Sequence, residues 1–116
     1  MSAAITLRQS RFGGRIILIS SEDIYPYDRT VLTKLVTFAD ARKFTLRSEE
    51  LLKKHGIEVQ LSTRVESVNS GKNELVLEGG KTESYDKLLL ATGLSAMTIP
   101  NLRGYENVYV IRDHKD

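Results

Sequence analysis

Glu22, Arg29 and Lys34 lie on one polar stretch, Ser20 to Lys34, that begins where the apolar run Arg15 to Ile19 ends. In the dinucleotide-binding plan, an acid just past the second strand accepts hydrogen bonds from ribose hydroxyls. Glu22 takes that place if the helical pattern around Ala3 to Gln9 is the first helix of the unit. Pro26 fixes one φ, and Asp28 favours a turn. Two readings of the stretch stand open. It is a solvated turn with Asp28 paired to Arg29, or it is one wall of a nucleotide-cofactor pocket.

The elements around it decide what such a wall could face. Ala3, Ala4, Leu7 and Arg8 form a short helical pattern that should stop near Gly13-Gly14. That glycine pair joins a helix to a strand and reads as a connector, since phosphate loops run from strand to helix. Ile16-Ile17-Leu18-Ile19 is a continuous apolar run, the pattern of a strand buried on both faces in a parallel sheet. A short helix is expected over Val31 to Val36, then a connection from Phe38 to Leu46. Ser48 caps a second helix with Glu49 and Glu50 in its first turn and Lys53, Lys54 and His55 in its last. Gly56 ends it, and Ile57 to Gln60 follows as a strand. Helix and strand alternate as in an α/β unit.

The texture then changes. Arg64 to Asn69 and Glu74 to Glu78 alternate in polarity, with turns at Ser70 to Asn73 and at Gly79-Gly80 leading into Lys81 to Ser84. This predicts an antiparallel β-meander with one wet face. Asp86 to Ala91 is again solidly apolar and is expected to re-enter the buried parallel sheet, ending at Thr92-Gly93. Val108 to Ile111 is expected as a last strand.

Composition narrows the function. The chain has 116 residues, one domain's worth at most, and a net charge of +2 with both signs interspersed. It lacks the basic patch of a nucleic-acid binder. It has no cysteine, which removes disulfides, thiolate metal sites and a redox dithiol from these residues. His55 and His114 have no ligand-like spacing and read as structural or surface residues. No apolar run reaches the roughly 20 residues that span a bilayer. The first residues lack the basic start of a signal peptide. The helix at the first residues leaves no room for a preceding strand with a glycine-rich turn.

Glu22, then Pro26-Tyr27-Asp28-Arg29, then Leu32-Thr33-Lys34, resembles the acid-xxx-PYxRPxLSK signature of flavin-dependent ferredoxin-reductase-type enzymes. It is most similar to their apoptosis-inducing-factor-like branch, within the pyridine nucleotide-disulfide oxidoreductases. Gly56-Ile57-Glu58-Val59, Arg64 to Val68, Tyr85-Asp86-Lys87-Leu88-Leu89-Leu90-Ala91-Thr92-Gly93, Glu106-Asn107-Val108 and Ile111-Arg112 match in the same order. The resemblance implies an α/β chain, part of a Rossmann-like FAD-binding domain with an added β-meander. It implies that residues 1–116 lack the strand bearing GxGxxG and the NAD(P)H domain of a longer parent.

It also implies roles. Glu22 holds the FAD ribose, and Arg29 sits by the adenosine and pyrophosphate. Lys34 reaches the isoalloxazine, Val65 packs near the adenine, and Thr92 and Gly93 let the main chain pass close to the cofactor. No residue acts as a general acid or base. In the parent, NAD(P)H reduces flavin, and flavin passes electrons to a ferredoxin, other iron–sulfur or quinone-type acceptor. The cytoplasm or the mitochondrion is the implied compartment. Thr30 replaces the family's proline and Thr33 its serine. Leu94-Ser95-Ala96-Met97-Thr98 stands where the family often has a Pro-Arg pair whose arginine contacts the cofactor, so the resemblance carries no such contact onto this run. Alone, the 116 residues are expected to be inactive and to bind FAD weakly or not at all. The rival expectation is a non-catalytic short form that associates through unpaired strand edges.

Overall fold

The computed structural model describes residues 1–34, 40–102 and 104–116. Helix α1, Ser2–Gln9, leads into strand β1, Ile16–Ile19. Helix α2, Glu49–Lys54, leads into β2, Ile57–Gln60, which pairs parallel to β1 with Ile16 opposite Ile57 and Ile19 opposite Gln60. A second sheet holds β3, Val65–Asn69, β4, Glu74–Leu77, and β5, Thr82–Ser84, as an antiparallel meander. The chain is thus α/β, a parallel pair with its helices plus a meander.

Local chemistry sets the ends of α2. Ser48 Oγ accepts the Leu51 N–H at 3.2 Å, satisfying one of the orphan donors of the first turn. Lys53 Nζ pairs with Glu49 Oε1 at 2.6 Å, one turn back. Gly56 has φ +61°, the left-handed conformation that lets the chain turn straight into β2. Leu52 faces inward and is 1% exposed. It packs with Ala4, Ile16 and Ile57, so each of α1, β1, α2 and β2 gives one residue to the same core. A smaller core of Ile24, Tyr27 and Ala41, with Leu32 against it, lies under the polar stretch.

One arginine draws both helix ends together. Arg8 Nε donates to the His55 carbonyl at 2.7 Å, and Nη2 to that of Gly56 at 2.8 Å. Nη1 donates to the carbonyls of Phe12 at 2.6 Å and Gly14 at 2.7 Å. This grip explains a departure from expectation. Helix α1 stops at Gln9, before Gly13-Gly14, and Arg11 takes the left-handed turn with φ +60°. The guanidinium satisfies the carbonyls of the turn that follows, so no glycine cap is needed there.

The meander follows its alternation. Leu75 and Leu77 are buried, while β3 is exposed along its length. Asn73, at φ +52°, completes the turn between β3 and β4. β1 is less enclosed than its sequence suggests: Ile16 is buried and the next three residues are half-buried.

Two expected strands do not form. Leu88 to Ala91 and Val108 to Ile111 belong to no sheet, and Leu89 is 70% exposed. An apolar run becomes a strand only when its own backbone is laid along a neighbour's edge. Among the described residues, β1 pairs with β2 alone, and neither run lies along its other edge. After Asp28 the chain makes a 3₁₀ turn, Arg29–Val31. Of the helix expected over Val31 to Val36, Leu32 to Lys34 continue as a turn, and residues 35 and 36 lie outside the described residues. So does the start of the Phe38 to Leu46 connection, whose later part forms a second 3₁₀ turn, Ala41–Phe44.

Candidate functional site

The strand end Ser20 to Asp23 is held from below by the chain leaving β2. Ser62 N–H donates to the Glu22 carbonyl and Thr63 N–H to the Ser20 carbonyl, each at 2.8 Å. These bonds fix where Glu22 stands at the mouth of the parallel pair. Its side chain is 18% exposed. Arg29 swings back from the 3₁₀ turn and pairs with Glu22 Oε1. The other oxygen, Oε2, is buried and accepts no hydrogen bond among the described residues.

Asp28 does not pair with Arg29. Its Oδ1 accepts from the Thr30 N–H at 2.9 Å and the Thr30 hydroxyl at 2.7 Å, capping the turn. Those two donors hold the Asp28 carboxyl below its ordinary range. The Arg29 guanidinium is thereby left for Glu22, with Cζ 5.3 Å from the Tyr27 ring centre. Burial pushes the Tyr27 phenol up, with Glu22 adding to the effect and Arg29 opposing it.

The other sequence-predicted residues stand at different distances from this pair. Gly93, at φ +73°, lies beside Arg112: a Cβ there would be 2.7 Å from Arg112 Nη2. Arg112 in turn gives its carbonyl to Arg29 Nη1 at 2.7 Å, so Gly93 is one residue removed from Arg29. Thr92 precedes it on an exposed stretch. Val65 begins β3, two residues after Thr63, and is exposed. Lys34 folds back on its own turn, Nζ to the Thr30 carbonyl at 3.1 Å. Glu22 and Arg29 therefore touch, Gly93 joins them through Arg112, and Lys34 faces elsewhere.

Two participants had no mark in the sequence. His114 is only 14% exposed, with Nε2 2.8 Å from Asp23 Oδ1 and Nδ1 3.6 Å from Glu22 Oε2. It lies at the far end of the chain from its partners, and no local pattern announces a contact of that span. Asp23 is a second acid just past the same strand. Burial raises its carboxyl, but its own backbone N–H, Lys115 and His114 outweigh that and hold it below the usual range.

The arrangement is an acid with one buried acceptor that takes no hydrogen bond, beside a guanidinium and near a glycine whose missing Cβ admits a close neighbour, here Arg112. Ribose hydroxyls need such an acceptor, phosphate oxygens such a guanidinium, and a flat ligand such a glycine. Among the described residues, no group of three or more His, Cys, Asp or Glu side chains is placed to hold a metal ion, and no helix is long and apolar enough to cross a membrane.

Comparison with known proteins gives the lineage. The chain is 39% identical, over 98% of its length, to the 3-phenylpropionate/cinnamic acid dioxygenase ferredoxin–NAD(+) reductase component of Photorhabdus laumondii, covering 29% of that protein. It is 36% identical, over 97% of its length, to apoptosis-inducing factor 3 of Mus musculus, covering 19% of it. The chain thus spans less than a third of the length of these relatives. Among solved structures, the covalent putidaredoxin reductase–putidaredoxin complex superposes with a TM-score of 0.77 at 29% identity, over 87% of this chain and 25% of that one. A family match covers residues 1–116. By that match and these relatives, the chain belongs to the pyridine nucleotide-disulphide oxidoreductase family.

Proposed function

We propose that residues 1–116 are part of the FAD-binding domain of an NAD(P)H oxidoreductase that passes electrons through flavin to a ferredoxin-, iron–sulfur- or quinone-type acceptor. The observation that carries this is the Glu22–Arg29 pair, with Glu22 Oε2 buried and free to accept a ribose hydroxyl. Arg29 would meet the pyrophosphate, and Gly93 would let the backbone approach. Thr92 and Val65 would line the same face, and Lys34 would turn out from Thr30 toward the isoalloxazine. The bound flavin would supply hydride and electron chemistry; these side chains supply position and charge. The glycine-rich phosphate turn and the NAD(P)H domain would lie outside these residues, in keeping with relatives more than three times as long.

Fluorescence titration with FAD and with riboflavin tests this. The ADP half is what Glu22 and Arg29 would hold. FAD should bind weakly, riboflavin more weakly still, and Glu22→Gln should erase the difference. FAD binding that matches riboflavin, or that ignores Glu22→Gln, rules the site out.

A second reading has its own support: a non-catalytic form that associates with copies of itself. Leu89, Leu94, Met97, Ile99 and Tyr109 are each more than 60% exposed, and the second edge of β1 is unpaired among the described residues. Sedimentation across a concentration series separates the two. Association with no FAD binding favours this second form.

A further inference from the structure

The residues assigned to the nucleotide are already in use by the chain itself. The segment Arg112 to Asp116 lies across them. Arg29 Nη1 donates to the Arg112 carbonyl at 2.7 Å. The Arg112 side chain reaches Gly93. His114 places Nε2 on Asp23 Oδ1 at 2.8 Å, and Lys115 Nζ comes within 3.4 Å of the same oxygen. The Tyr27 ring stands edge-on to His114, centres 6.0 Å apart at 83°. The segment also holds its own shape. Asp116 Oδ2 accepts from the N–H of Arg112 at 2.5 Å and of Asp113 at 2.9 Å, and Asp113 Oδ1 accepts from the Lys115 N–H at 2.9 Å.

We propose that Arg112 to Asp116 is a clasp that competes in cis with the adenosine side of the nucleotide for Glu22, Arg29 and Gly93. The inference rests on the nucleotide reading of those three residues. The chemistry is complementary at each point. A ribose needs the Glu22 acceptor, which His114 covers. A phosphate needs the Arg29 donors, one of which the Arg112 carbonyl takes. A planar ligand needs the open face of Gly93, which the Arg112 guanidinium fills. Ligand and clasp therefore exclude each other, and nucleotide binds only the fraction of molecules with the clasp open.

Glu22 Oε2 and His114 Nδ1 face each other 3.6 Å apart, both buried and both without a hydrogen bond, so the ring occupies the space a ribose hydroxyl would need.

The test is FAD titration of the whole chain and of two variants that open the clasp from opposite sides, His114→Ala and Asp23→Asn. Neither residue is assigned to the nucleotide. A clasp closed nine-tenths of the time weakens apparent affinity about tenfold. Both variants should therefore bind FAD about tenfold more tightly than the native chain. Adding FAD to the native chain should shift the His114 imidazole resonances. Equal FAD affinity in all three proteins overturns the clasp and leaves the nucleotide site standing. No FAD binding by any of them, with native far-UV circular dichroism, overturns the nucleotide reading and the clasp together.

Discussion

Arg15 holds Glu58 with two parallel hydrogen bonds, Nε to Oε1 at 2.8 Å and Nη2 to Oε2 at 2.7 Å. Its remaining nitrogen, Nη1, reaches Glu83 in β5 at 2.7 Å. One side chain at the entry to β1 thus ties the parallel pair to the meander. A fork of this geometry suits carboxylates better than an ammonium does.

The tie should fail in acid. The Arg15 guanidinium holds the Glu58 carboxyl below its ordinary value, and Glu58 in turn raises Arg15. A carboxyl with a depressed folded value stabilises the fold fully above its unfolded value, about 4.3, and loses that contribution as the pH falls through the folded one. Native protein should melt higher than Arg15→Gln at neutral pH, and the gap should close below that window. Thermal melts from neutral pH into acid check it. A gap that persists unchanged through the acid limb sinks the assignment.

Arg8 is the sharper stability site. Its guanidinium serves four carbonyls, those of Phe12, Gly14, His55 and Gly56. Arg8→Ala should cost about 1–3 kcal/mol, the range for losing charged hydrogen bonds and leaving acceptors unmet. Arg8→Lys should recover only part, because one ammonium cannot span both sets of carbonyls. Urea midpoints measure both, and full rescue by lysine would show that charge alone matters there.

Two leucines should behave oppositely. Leu52→Ala empties the centre of the main core and should cost about 2–5 kcal/mol. Leu89→Ala, on an exposed stretch, should stay within about 0.5 kcal/mol of native. Urea midpoints of the two variants decide this. A large loss for Leu89→Ala would place it in a packed environment.

The contrast marks what the sequence makes legible. Ser48, Glu49 and Lys53 are readable because a cap and an ion pair act over three or four residues. Leu75 and Leu77 are readable because alternation is local. Leu88 to Ala91 and Val108 to Ile111 misled because a strand is a relation between two segments, and apolarity describes only one. Glu22 was marked by its place at a strand end, and Arg29 and Gly93 by their motifs. His114 was not marked, since its contacts with Glu22 and Asp23 bridge most of the chain.

The two sheets also differ in how far the chain travels to close them. β3 and β4 meet through the turn Ser70 to Asn73, while β1 and β2 meet across roughly forty residues. The longer closure costs roughly 2 kcal/mol more in chain entropy before any pairing rewards it. Glu22 and Arg29 lie inside that crossover, and their contact with Arg112 and His114 spans further still. Folding should therefore run from the meander toward the strand-end cluster, and the first loosening on heating should run the other way. Residues 65–84 would be native in a molecule that does not yet possess the Glu22–Arg29 pair.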